Sequence, residues 1–167
     1  MRVYQDAILI PYAVEVDGQV ISVYDPIVHK KVGEDDRDSD PPWVLCQRPC
    51  IRGGELAAAL LELHYDDASG IDSAPLQMKA NNGIFIIDDF GRQQMPPREL
   101  LNRWIVPLDR RVDYLSLRYG LKFEIPFEVL VVFATNTRHE DREPVASEED
   151  LARGPTVFCD GRRPFGA

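Results

Sequence analysis

Two short apolar runs, each ending abruptly in polar residues, constrain this chain more than any other feature. Ile84-Phe85-Ile86-Ile87 is followed by Asp88-Asp89, and Leu130-Val131-Val132-Phe133-Ala134 is followed by Thr135-Asn136. An unbroken apolar run of this length, with no alternation, suits a strand buried on both faces, as in a parallel sheet covered by helices. In open sheets of that kind, ligands bind in the crevice outside the carboxyl ends of the strands. If the two strands are neighbours, Asp88, Asp89 and Asn136 reach one shared crevice.

The pattern around these runs predicts an α/β fold, a mostly parallel sheet with flanking helices and β-hairpins. Asp17-Gly18 sits between alternating segments over residues 14–24, a hairpin signal, and Tyr119-Gly120 does the same between residues 112–117 and 121–125. Leu100, Leu101, Trp104, Ile105 and Leu108 recur at helical spacing behind Pro97, which is tolerated in a first turn, and Pro107 is expected to kink the last turn. Val44-Leu45 suggests a short strand, and the Ala and Leu content of residues 55–63 predicts a helix that residues 66–75 break. Glu34, Asp35, Asp36, Asp38 and Asp40 crowd a solvated loop. Residues 1–137 are expected to form the core and 138–167 a poorly packed tail, because charge and Gly/Pro dominate after Asn136.

Composition narrows the function classes. A 167-residue chain with a formal charge of −9 suits one domain and lacks the uniformly basic surface that coats nucleic acid. Cys46, Cys50 and Cys159 are an odd number without disulfide-framework spacing, so reduced thiols in the cytoplasm are expected. No run approaches the roughly 20 apolar residues of a membrane span, and the first residues lack signal-peptide order. Cys46 and Cys50 with His29 or His64 can be drawn as a zinc site, but no second pair has structural-zinc spacing, and ordinary thiols are the preferred reading. His29, His64 and His139 lie beside no recognisable nucleophile. Trp104 reads as core.

A buried strand that ends in two acids is how carboxylates reach a Mg²⁺-nucleotide: one carboxylate holds the metal with waters and phosphate oxygens, and a second polarises the attacking water. Asp88 takes the first role and Asp89 the second. The bland alternative is that such acids cap a helix or face solvent. Asn136, at the end of the other strand, has the amide to hydrogen-bond a γ-phosphate or the lytic water.

On these residues, Ile84 to Asp89 resembles a Walker B strand and Val131 to Asn136 resembles the sensor 1 strand of AAA+ ATPases, in the P-loop NTPase superfamily. The intervening helix and hairpin are similar to the insert of the MoxR-like branch. The resemblance covers residues 7–136 and is best over 77–136. It implies Mg²⁺ held by Asp88, ATP contacted by Asp88 and Asn136, catalysis through Asp89 and Asn136, and a homo- or hetero-oligomeric ring with no membrane.

The chain departs from the family in three ways. No G-x-x-x-x-G-K-[ST] phosphate loop occurs, and the resemblance places that loop ahead of Met1, as in a truncated core. Asp89 stands where most relatives carry glutamate, about 1.5 Å shorter in reach. Nothing after Asn136 resembles the following helix, arginine finger or lid. Arg92, Arg98, Arg103, Arg110 and Arg111 crowd the amphipathic helix; a ring-interface contact, best suited to Arg110-Arg111, competes with a solvated basic face. The functional expectation is an ATP-binding and hydrolysing AAA+ fragment, inactive alone. The alternatives are a non-catalytic module docking onto complete subunits and, more weakly, a metal-dependent hydrolase around Asp88.

Overall fold

The computed structural model describes residues 7–33, 42–54, 56–88, 96–135 and the backbone of 156–160. Strand β1 (Ala7–Pro11) is followed by β2 (Ala13–Val16) and β3 (Gln19–Ser22), which form the expected hairpin. Asp17 at φ 51° and Gly18 at φ 75° give the two left-handed residues of a turn whose twist matches the strands it joins. Strand β4 (Trp43–Gln47) returns to pair antiparallel with β1.

Next come β5 (Cys50–Gly53), a 3-10 helix (Ala58–Leu61), β6 (His64–Asp66), β7 (Ile71–Ser73) and α1 (Leu76–Lys79). The β6–β7 hairpin closes where Asp66 accepts from Ala68 N–H at 3.1 Å and Ser69 Oγ at 2.7 Å. It joins β2 and β3 in a four-stranded sheet of order β2-β3-β7-β6.

Then β8 (Ile84–Ile87), α2 (Pro97–Arg110), β9 (Val112–Ser116), β10 (Lys122–Pro126), β11 (Leu130–Thr135) and β12 (Thr156–Asp160) complete the chain. Strands β12, β11, β8 and β5, in that order, make the expected parallel sheet. Helix α2 buries Leu100, Leu101, Trp104 and Leu108 at its i, i+4 and i+8 positions and neighbours. Trp104 packs against Phe85 of β8, Phe127 and Phe133 of β11, with ring centroids 5.3, 5.9 and 6.5 Å away. Burying each such ring contributes about 2–3 kcal/mol, so this aromatic cluster fixes the helix to the strands.

Several expectations change. The helix expected over residues 55–63 does not form among the described residues 56–63: only the 3-10 turn does, with Leu56 and Leu61 buried and Leu60 exposed. Tertiary burial of two side chains overrides the helix propensity of the segment. Ile105, grouped with the buried face, is 50% exposed. Helix α2 stops three residues beyond Pro107, where Arg111 turns left-handed at φ 60° and its N–H donates to the Pro107 carbonyl at 3.1 Å. Within the segment expected to pack poorly, Thr156–Asp160 extends the parallel sheet beside β11. The remainder of 138–167 and most of the acidic loop lie outside the described residues.

Candidate functional site

The site is built at the carboxyl edge of the parallel sheet. In the β8–β11 register Ile87 lies opposite Phe133, and Gly53 of β5 lies opposite Ile87. The three strands therefore end nearly level. Asp88 follows directly on Ile87, half-buried, and its N–H donates to the Gly53 carbonyl at 3.3 Å. That bond carries β8 one residue further along β5 and fixes where the Asp88 carboxylate leaves the sheet.

Asp89 and Asn136, the other two residues expected here, lie outside the described residues, as does Arg92. Asn136 follows directly on Thr135, the last residue of β11. The structure thus brings the ends of β8 and β11 together and describes one of the three named side chains.

Glycines shape this edge. A Cβ on Gly53 would meet Leu56 Cδ1 at 3.4 Å and the Phe85 ring at 3.5 Å, whereas one on Gly54 would meet nothing within 4 Å.

The opposite, amino edge of the sheet sets the register, and sequence reading missed it. Asn81 Nδ2 donates to the Pro126 carbonyl at 2.9 Å while its Oδ1 accepts from Glu128 N–H at 2.7 Å. Asn82, left-handed at φ 60°, donates its N–H to the Glu128 carbonyl at 2.8 Å. This clamp ties the start of β8 to the start of β11. The signal was the Asn81-Asn82-Gly83 turn itself, because Asn tolerates left-handed backbone and bonds locally.

A second missed group anchors α2. Asp113, 1% exposed, receives both terminal nitrogens of Arg103, with Nη2 at 3.1 Å, and Gln77 Nε2 at 3.1 Å. Gln77 Nε2 also donates to the Leu61 carbonyl at 2.7 Å. Burial works against the Arg103 charge, but Asp113 and Glu62 outweigh it and raise its pKa. Arg103 is therefore a structural ion pair joining α2 to β9. Arg110 is exposed and Arg111 is the helix cap.

The remaining candidates separate. Cys46 is buried in β4 and burial raises its pKa, whereas Cys50 begins β5 exposed. Among the described residues no group of three or more His, Cys, Asp or Glu is placed to hold a metal ion, and no helix is long and apolar enough to cross a membrane. His29 is locked in the N-terminal half of the fold.

No protein-family model matches the chain. No curated protein matches it in sequence. Among solved structures, the chain is similar to one described as the complex between subunits BchI and BchD of magnesium chelatase, based on a single-particle cryo-EM reconstruction, with 15% identity and a TM-score of 0.47. The alignment covers 71% of this chain and 38% of that one, so the chain spans well under half the length of this relative.

Proposed function

We propose that this chain supplies the metal-binding and nucleotide-sensing strands of an AAA+ ATPase site for Mg²⁺ and ATP. The observation that carries the reading is that β8 and β11 are adjacent, parallel and in register up to Ile87 and Phe133. Chain segments leaving those two residues start side by side, as a Walker B strand and a sensor 1 strand must.

The donor set suits the cofactor. A carboxylate at Asp88 offers the hard oxygen that Mg²⁺ takes together with waters and phosphate oxygens. Bound there, Mg²⁺ would neutralise charge on the phosphates. Asp88 holds the metal, Asp89 orients the attacking water, and Asn136 hydrogen-bonds the γ-phosphate or that water. Hydrolysis and a ring of homo- or hetero-oligomeric subunits belong to the same proposal.

These 167 residues contain no G-x-x-x-x-G-K-[ST], so the backbone cradle and lysine that supply much of the phosphate grip are not in this segment. Binding of Mg-ATP by the chain is expected to be weak, with a Kd on the order of 1 mM, about −4 kcal/mol. Titration with a fluorescent ATP analogue should show a Mg²⁺-dependent component that Asp88→Asn removes. Binding that is indifferent both to Mg²⁺ and to Asp88→Asn would refute the assignment.

A further inference from the structure

Backbone hydrogen bonding leaves two strand edges turned into one apolar cleft. On β4 the Leu45 carbonyl accepts from Val32 N–H at 2.9 Å, and Gln47 N–H donates to the Lys30 carbonyl at 2.8 Å. Leu45 and Gln47 therefore point their polar groups away from β1. Opposed residues of an antiparallel pair alternate between exchanging hydrogen bonds and not doing so. Since Leu9 faces Leu45 in the β1–β4 register, Leu9 turns its own N–H and C=O to the outer edge of β1.

The same bookkeeping holds for β10. Leu117 N–H donates to the Leu121 carbonyl and Phe127 N–H to the Arg111 carbonyl, both at 2.8 Å, so odd-numbered residues of this hairpin exchange the ladder bonds. Glu124, opposite Tyr114, sends its N–H and C=O outward, whereas the outward carbonyl of Pro126 is already taken by Asn81 Nδ2 at 2.9 Å. Among the described residues, these outward backbone groups of Leu9 and Glu124 make no hydrogen bond.

Both edges line one cleft of about 350 Å³, which takes residues 8–11 from β1 and 123–126 from β10. A sheet face contributes every second residue of a strand, so four consecutive residues from each strand mark edges, not faces. The other walls are apolar at Val14, Val16, Val23 and Met78 and polar at Lys79, Asn81 and Asn82, and Trp43, 48% exposed, also lines the cleft.

We propose that this cleft binds an extended segment of a partner polypeptide, apolar at alternate positions and basic at its flanks, which pairs as an added strand with β1 and β10. Unpaired edge amides and carbonyls are matched by extended backbone, and alternate side chains then fill the apolar walls. Lys79 in the lining is paired with Asp25 at 2.9 Å, so Glu124 and the overall charge of −9 favour Lys or Arg beside the apolar positions. Such a strand would join two separate two-stranded sheets.

The probe is the peptide acetyl-Lys-Val-Lys-Val-Lys-Val-Lys-amide, compared with an analogue N-methylated at every second residue. Trp43 reports binding by a blue shift of its emission, because Trp104 is already fully buried. The parent peptide should bind at least tenfold more tightly than the methylated one. Leu9→Pro, which deletes an outward N–H and spares the β1–β4 ladder, should weaken binding at least tenfold. Hydrogen exchange on the unaltered protein gives an independent reading: the Leu9 and Glu124 amides should exchange fast when free and slow when the peptide is bound. Equal binding of both peptides, or no response of Trp43, overturns the proposal. Slow exchange at Leu9 and Glu124 in the free protein overturns it too, since the edges would then be filled by this chain or a second copy.

Discussion

His29 is 1% exposed, and both ring nitrogens are committed. Nδ1 accepts from Asp25 N–H at 3.0 Å, so Nε2 carries the proton and donates to the Lys79 carbonyl at 2.8 Å, while Tyr24 stacks on the ring with centroids 5.8 Å apart. Burial lowers the His29 pKa below its ordinary 6.5, outweighing the Lys79 carbonyl and the Asp25 carboxylate. A second ring proton would have to face the Asp25 N–H. A depressed folded pKa means that the unfolded chain binds the proton first, so stability is present above pH 6.5 and is lost as pH falls through the folded value. Asp25 is also depressed, since Lys79 and Ile27 N–H outweigh its burial, but it acts below its ordinary 3.8. The unfolding free energy, and the melting temperature with it, should therefore fall as the pH drops below 6.5, the free energy by at most about 1.4 kcal/mol per pH unit for this one group. His29→Phe should melt lower at neutral pH, having lost two hydrogen bonds, yet lose that slope. A slope that survives in the variant would place the titrating group elsewhere.

At the scale of an element, the start of β8 depends on a missing side chain. A Cβ on Gly83 would sit 2.2 Å from the Pro49 carbonyl oxygen, the same oxygen that accepts Ile84 N–H at 2.9 Å. Backbone cannot yield there without breaking the link that sets the β5–β8 register. Gly83→Ala should cost on the order of 3 kcal/mol in urea unfolding, whereas Gly54→Ala, with open space, should stay within about 0.5 kcal/mol. Equal effects of the two substitutions would contradict this account. The β8 and β11 strands were legible because their apolar runs end in polar residues, and α2 because its apolar positions repeat at helical spacing. The Asp17-Gly18 hairpin was legible because its turn residues require left-handed backbone. Strands β6 and β7 were not, since three residues each show no period. The segment around Leu56 and Leu61 read as a helix because propensity is local, while the Gln77 side chain that takes the Leu61 carbonyl comes from 16 residues away. For the site, the sequence named Asp88 and the structure gives its place at the end of β8. The Asn81 clamp and the Arg103–Asp113 pair are long-range contacts that no periodicity encodes.

Across the whole molecule, the candidate site depends on how β11 is held. On one side it pairs with β8, which carries Asp88; on the other it pairs with β12 over five register positions from Val131↔Thr156 to Thr135↔Asp160. A strand paired on one edge alone presents a row of free N–H and C=O groups to any other chain. Val131 and Phe133 are fully buried, so an exposed β11 edge would adjoin the main apolar cluster. Removing residues 138–167 takes away β12, leaving β5, β8 and β11 as the described strands of that sheet. The shortened chain should melt lower and scatter light at concentrations where the longer one stays clear. The Mg²⁺-dependent nucleotide binding proposed above should weaken as well, because the β11 end that leads into Asn136 would no longer be fixed on both sides. A shortened chain that remains monodisperse, with an unchanged melting temperature, would mean that β12 adds nothing to the sheet. The crevice would then depend on β8 and β11 alone, and on the Asn81 clamp that holds their starts together.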